Sequence, residues 1–118
     1  MAYNHFDIPI FQKTYDLYKL IHQLRNDVPK ADRYTLWQKN EDTCLDIIEK
    51  LFQSNQLNGS EKVVWLAKIS NKVDLLRMFM RLAHETKTID EKKYLLIQSH
   101  LDETGRMLGG WIKNSRTK

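Results

Sequence analysis

The stretch "LLRMFMRLA", Leu75 to Ala83, is apolar apart from Arg77 and Arg81, set four residues apart. Guanidinium groups stay charged at physiological pH and can grip a phosphate or carboxylate through two parallel hydrogen bonds. On a helix this spacing puts the pair on one edge, about 40° apart, where both can meet one anionic partner. The same groups also have a structural use. Asp74 precedes Arg77 by three residues and Glu85 follows Arg81 by four, both ion-pair spacings on a helix surface. Spacing alone leaves both uses open.

Further basic residues follow at the C-terminal end: Arg106, Lys113 and Arg116. Residues 55–118 carry twelve Lys and Arg against seven Asp and Glu, whereas residues 1–54 carry seven against eight. The net charge of +4 therefore resides in the second half, which points to an anionic partner. Lys62, Lys68 and Lys72 leave the same helix as the arginine pair at other angles. The stems of Lys68 and Lys72 cover the flank of Trp65 and Phe79.

Other chemistries lack their residues. His5, His22, His84 and His100 show no metal-ligand spacing with one another or with Cys44. The Glu-x-x-His pair that builds metal sites in helical bundles is absent, since Cys44 stands three after Glu41 and Tyr94 three after Glu91. No nucleophile has an evident base, so catalysis, metal and cofactor are not expected. Cys44 falls on an apolar stripe as an inert thiol. One cysteine allows no internal disulfide, and "MAYNHFDIPIF" lacks the regions of a signal peptide, so a cytoplasmic setting is expected. No apolar run approaches the roughly 20 residues that span a bilayer, so no membrane role is expected.

The elements that carry these residues read as helices, in a single domain of 118 residues with two prolines and four glycines. The first is expected over 8–28: Asp7 and Pro9 open it, and Pro29 closes it. Ile10, Leu17, Ile21, Leu24 and Val28 form its stripe, with Phe11, Tyr15 and Tyr18 beside them. The second is expected over 32–53, with Trp37, Cys44, Ile47, Ile48, Leu51 and Phe52 inward. Its outward side holds Glu41, Asp42, Asp46, Glu49 and Lys50. The third runs over 60–85 from an N-cap at Ser60, and the fourth over 89–113 from a capping box of Thr88 and Glu91. Gly105, Gly109 and Gly110 lie inside that fourth helix at up to about 1 kcal/mol each against alanine. Close approach of a neighbour at Gly105 compensates, and a helix end at 109–110 is the alternative. The fold class is all-α, an antiparallel up-down-up-down four-helix bundle.

The third helix is too apolar to serve one bundle. Leu66, Ile69, Val73, Leu76 and Met80 make one stripe, while Val64, Leu75, Met78 and Leu82 cover another side, with Trp65 and Phe79 between. A bundle helix needs about a third of its circumference for its own core. The surplus predicts an interface with another subunit through Val64, Trp65, Leu75, Phe79 and Leu82, joined by Trp111 of the fourth helix.

"LLRMFMRLA", followed one helix later by "ETGRMLGGWIK", resembles the Avd family, the accessory variability proteins of diversity-generating retroelements. These are related to four-helix-bundle proteins encoded in intervening sequences of bacterial 23S ribosomal RNA genes. The resemblance extends from "IPIFQKTYDLYKLI" to "GGWIK". It implies a non-enzymatic protein assembled as a homopentameric ring with a basic surface. That ring would bind a reverse transcriptase and template-repeat RNA during mutagenic cDNA synthesis, with Arg77 and Arg81 matching the family's paired arginines. One departure is the modest basicity, 19 basic against 15 acidic residues. The ribosomal relatives imply instead a protein-interaction bundle with no obligatory nucleic-acid role.

Overall fold

A computed structural model describes residues 8–116. The expected opening by Asp7, and His5, lie outside the described residues. Among the described residues there are four long helices, a short 3-10 turn and one isolated α-turn: α1 Pro9–Leu24, the 3-10 turn Arg25–Asp27, the turn α2 Lys30–Arg33, α3 Leu36–Ser54, α4 Gly59–Glu85 and α5 Glu91–Arg116. Among the described residues there is no strand. The long helices pack in a cycle, with α1 and α4 each lying between α3 and α5. No helix among the described residues is long and apolar enough to cross a membrane.

The α4 stripe is buried throughout, and most members of the other stripes are too, with Leu24, Ile48, Tyr94 and Ile112 half-buried. Ile10, Leu17, Ile21 and Val28 from the first segment are closed to solvent, as are all five residues of the α4 stripe and Ile97, Leu101 and Leu108 of α5. Fully burying one such side chain contributes about 1.5–3 kcal/mol, so these stripes hold the bundle together. Trp37 is the largest buried side chain, and its indole Nε1 donates to the Ile21 carbonyl at 3.0 Å.

The second helix departs from its expected span. Pro29 ends the first segment as expected, after a 3-10 turn over Arg25–Asp27. The chain then makes the single turn α2 and breaks at Thr35 (φ −118°, ψ −100°) before α3 starts at Leu36. The break has a physical cause. The Arg33 guanidinium reaches back to the carbonyls of Val28 (3.0 Å) and Asn26 (2.9 Å), while Trp37 is anchored on Ile21. A straight helix from 32 could not satisfy both anchors. The sides of α3 also need correction: Glu41 is buried and Phe52 is exposed.

Helix ends show a similar pattern. α4 begins at Gly59 (φ +56°) after an extended Asn58, so Ser60 is already inside the helix. It ends with Lys87 in the left-handed region (φ 64°). There the Thr88 amide donates to Ala83 O (2.8 Å) and the Lys87 amide to His84 O (3.1 Å), satisfying carbonyls the helix leaves unpaired. At the start of α5 the cap is Asp90, whose Oδ1 accepts from the Lys93 amide at 2.8 Å, and not Thr88. Thr88 is buried and its hydroxyl donates to Asp32 Oδ2 (3.3 Å), which ties this loop to α2.

α5 runs unbroken through all three glycines. A methyl group on Gly105 would stand 2.9 Å from Arg77 Nη2, so the neighbour approaching there is that guanidinium. Nothing lies within 4 Å of a Cβ at Gly109 or Gly110. Gly109→Ala is therefore expected to stabilise the fold by about 0.5–1 kcal/mol, through helix propensity alone. Urea denaturation midpoints check this, and a destabilised variant would mean the site is filled by something else.

Candidate nucleic-acid and partner interface

Arg77 projects from the middle of α4 against α5. Its guanidinium pairs with the Asp102 carboxylate and donates through Nη2 to the Leu101 carbonyl at 3.1 Å, with Asp74 at 3.9 Å on its own helix. The ion-pair partner expected three residues back is thus the weaker one, and the stronger comes from α5. This side chain clasps two helices, and the missing side chain of Gly105 makes room for it.

Arg81, one turn on, is different. It is 74% exposed and its Nε stands 3.6 Å from Glu85 Oε1. An exposed pair at that distance is worth about 0–1 kcal/mol, so the cation remains available to a stronger anion. Arg106, Lys113 and Arg116 are exposed on α5. The structure does not bring these five cations together within one chain. Arg77 lies level with residues 101–102, and from there to Lys113 the α5 axis rises by about 17 Å.

The apolar back of α4 is open. Val64 is 57% exposed, Met78 63% and Leu82 46%, with Leu75 and Phe79 half-buried beside them. On the helical wheel Val64, Leu75, Met78 and Leu82 lie across from the buried stripe, on the side that faces neither α3 nor α5, while Phe79 stands at the α3-facing edge near Lys72. Trp65 and Trp111 are placed otherwise. Both pack against their own core. The Trp65 indole donates to Lys50 O (2.8 Å), and Trp111 meets Phe11 edge-on with ring centroids 6.0 Å apart. Lys68 Nζ lies 5.6 Å from the Trp65 ring centroid, as its stem position suggested, while Lys72 pairs with Asp46 at 3.4 Å.

One charged cluster escaped the sequence reading. Glu41, on the α1-facing edge of α3, is buried against the end of α1. There it pairs with Arg25, lies 2.8 Å from His22 Nδ1, and accepts from the Tyr18 hydroxyl at 3.4 Å. Burial together with the Glu41 charge raises the Tyr18 pKa above its ordinary value. The cluster fastens α1 to α3. The only sequence signal was a carboxylate bordering an apolar stripe, and its three partners are 16–23 residues away.

Cys44 is fully buried, and that burial pushes its thiol up to about 12, far from a nucleophile's range. Among the described residues no group of three or more His, Cys, Asp or Glu side chains could hold a metal ion. His100 is held below its ordinary pKa, first by burial and then by nearby Lys13.

Beside this geometry stand the comparisons with known proteins. No curated protein matches the chain. A family model described as bAvd-like matches residues 9–115, nearly all of the described helices. An arginine clasp between two helices, an open apolar band and a basic C-terminal end are thus features of a chain that belongs to the bAvd-like family.

Proposed function

We propose that this protein is a non-enzymatic accessory factor of a diversity-generating retroelement. In this reading it is an antiparallel up-down-up-down bundle in the cytoplasm that assembles into a homopentameric ring. The ring binds reverse transcriptase and template RNA. The match to the bAvd-like family over residues 9–115 is the observation that carries the reading. The helix order is supported by cross-helix pairs that run in opposite directions: Lys50 with Trp65 and Asp46 with Lys72, then His84 with Tyr94 and Arg77 with Asp102.

Assembly is supported by the open band of Val64, Leu75, Met78, Phe79 and Leu82, which gives each subunit an apolar surface to cover. Packing those bands against neighbouring chains repeats Arg81, and the edge held by Arg77, around the ring. Cations that are sparse in one chain then form one basic rim. Such a rim holds RNA and polymerase together by raising their local concentration, with no bond made or broken by the protein.

The double variant Arg77→Gln, Arg81→Gln tests the assignment. Because Asp102 and the Leu101 carbonyl already hold Arg77, most of the effect comes from Arg81. The assembly is expected to persist, RNA binding to weaken by about ten-fold at moderate salt, and the salt slope of log K to fall by about one, with melting curves separating a loosened α4–α5 clasp from a lost contact. Fluorescence anisotropy across a salt series reads both quantities. Unchanged affinity and slope would remove these arginines from the interface.

A further inference from the structure

Where α4 begins and α5 ends, the bundle carries a cleft of about 380 Å³ lined by Asn58, Gly59, Lys62, Trp111, Asn114 and Ser115. That volume is within the range of small-ligand sites, about 300–1,000 Å³. No carboxylate lines it. Lys62 Nζ lies 5.3 Å from the Trp111 ring centroid, and no ion pair holds it among the described residues. Arg116 lines the adjoining groove, which shares Gly59 and Ser115 with the cleft. The cleft at the opposite end is of mixed charge, lined by Asp27, Asp90 and Glu91 together with Lys87 and Lys93.

We propose that this end of the bundle binds one unpaired nucleotide of a single-stranded nucleic acid, its base on the Trp111 face and its phosphate on Lys62. The inference rests on the nucleic-acid role argued above and gives it a location that the arginine pair does not supply. An indole ring with a mobile cation over it suits this ligand. A base entering the cleft takes the ring face, since base–aromatic stacking is worth about 1–3 kcal/mol per base. The displaced ammonium swings outward on its four-carbon stem to the phosphate of the same nucleotide. Phe11 braces the ring edge-on, so Trp111 is a fixed platform. A duplex keeps its bases stacked inside and cannot use it, so single strands are preferred.

Fluorescence titration of the full chain with oligouridine, oligothymidine and a matched duplex, each of about twelve nucleotides per strand, tests the site. Binding of a single strand is expected to quench tryptophan emission, with the duplex at least about ten-fold weaker. Whichever of oligouridine and oligothymidine binds tighter identifies the strand as RNA or DNA, and either order supports the site. Lys62 is half-buried over the Trp111 ring, and Lys62→Glu is expected to cost about ten-fold in single-strand affinity, with Lys62→Gln losing less and melting curves showing that both variants fold. Trp111→Phe is expected to retain most of the binding and Trp111→Leu to lose about ten-fold, with melting curves separating lost stacking from lost fold.

Wild-type affinity in Lys62→Glu, or equal binding of duplex and single strand, would overturn the site. If single strands bind the protein but only Arg77→Gln, Arg81→Gln weakens them, this inference fails while the accessory role stands. If no strand binds at all, the nucleic-acid part of both readings falls.

Discussion

Replacing Met78 and Leu82 with glutamate is expected to turn the proposed ring into single chains of 14.1 kDa with their helices intact. Both side chains are about half or more exposed on the back of α4, so their change costs the isolated bundle little, about 0.5 kcal/mol each. In the proposed ring, their burial between subunits is another matter. Each contributes up to about 1.5–3 kcal/mol at every interface. A carboxylate at the same place must be stripped of water without a partner, at several kcal/mol. Summed over two positions, the swing exceeds what a small interface can lose. Size-exclusion chromatography with light scattering reads the mass, and circular dichroism reads the helices. An assembly that survives both charges would place the interface elsewhere.

The second large effect concerns the core. Trp37→Ala is expected to destabilise the single-chain variant by about 3–5 kcal/mol, a large share of the roughly 5–15 kcal/mol that folds a domain. Two losses combine. The indole fills the space between α1 and α3, and its Nε1 satisfies the Ile21 carbonyl at 3.0 Å. It is also the anchor that restarts α3 after the break at Thr35. Urea unfolding of the Met78→Glu, Leu82→Glu background keeps assembly out of the measurement. A loss under about 1 kcal/mol would mean the surrounding helices close over the gap.

How much was legible in the sequence followed from how local each signal was. The five-residue stripe of α4 could be read at once, because periodicity is written in neighbouring turns and every member is buried. The open band on its back was legible for the same reason. Glu41 was not. It borders the α3 stripe, where polarity argues outward, and only Tyr18, His22 and Arg25 from a different helix make its burial tolerable. Phe52 erred the other way, as an aromatic residue left on a surface edge of α3 with 51% exposure.

Boundaries failed where a neighbouring side chain outcompeted the expected signal. Arg33 spends its guanidinium on the end of the first segment and splits what periodicity joined. At α5, Thr88 has the spacing of a capping box, but Asp90 stands directly before the helix and takes the amide. The arginine pair shows the same limit within the candidate site. Its spacing made Arg77 and Arg81 look equivalent, whereas Asp102 and Leu101 of α5 claim the first and leave the second exposed. The Lys62–Trp111 cleft joins residues 49 positions apart, and nothing in either segment alone marks it.

Sedimentation equilibrium of the unaltered chain, over a wide range of concentration, tests most directly whether the back of α4 is shared. The account predicts the mass of a closed ring, a pentamer, that dissociates only on strong dilution. A constant 14.1 kDa at every concentration would contradict it, since no rim of repeated arginines can then form.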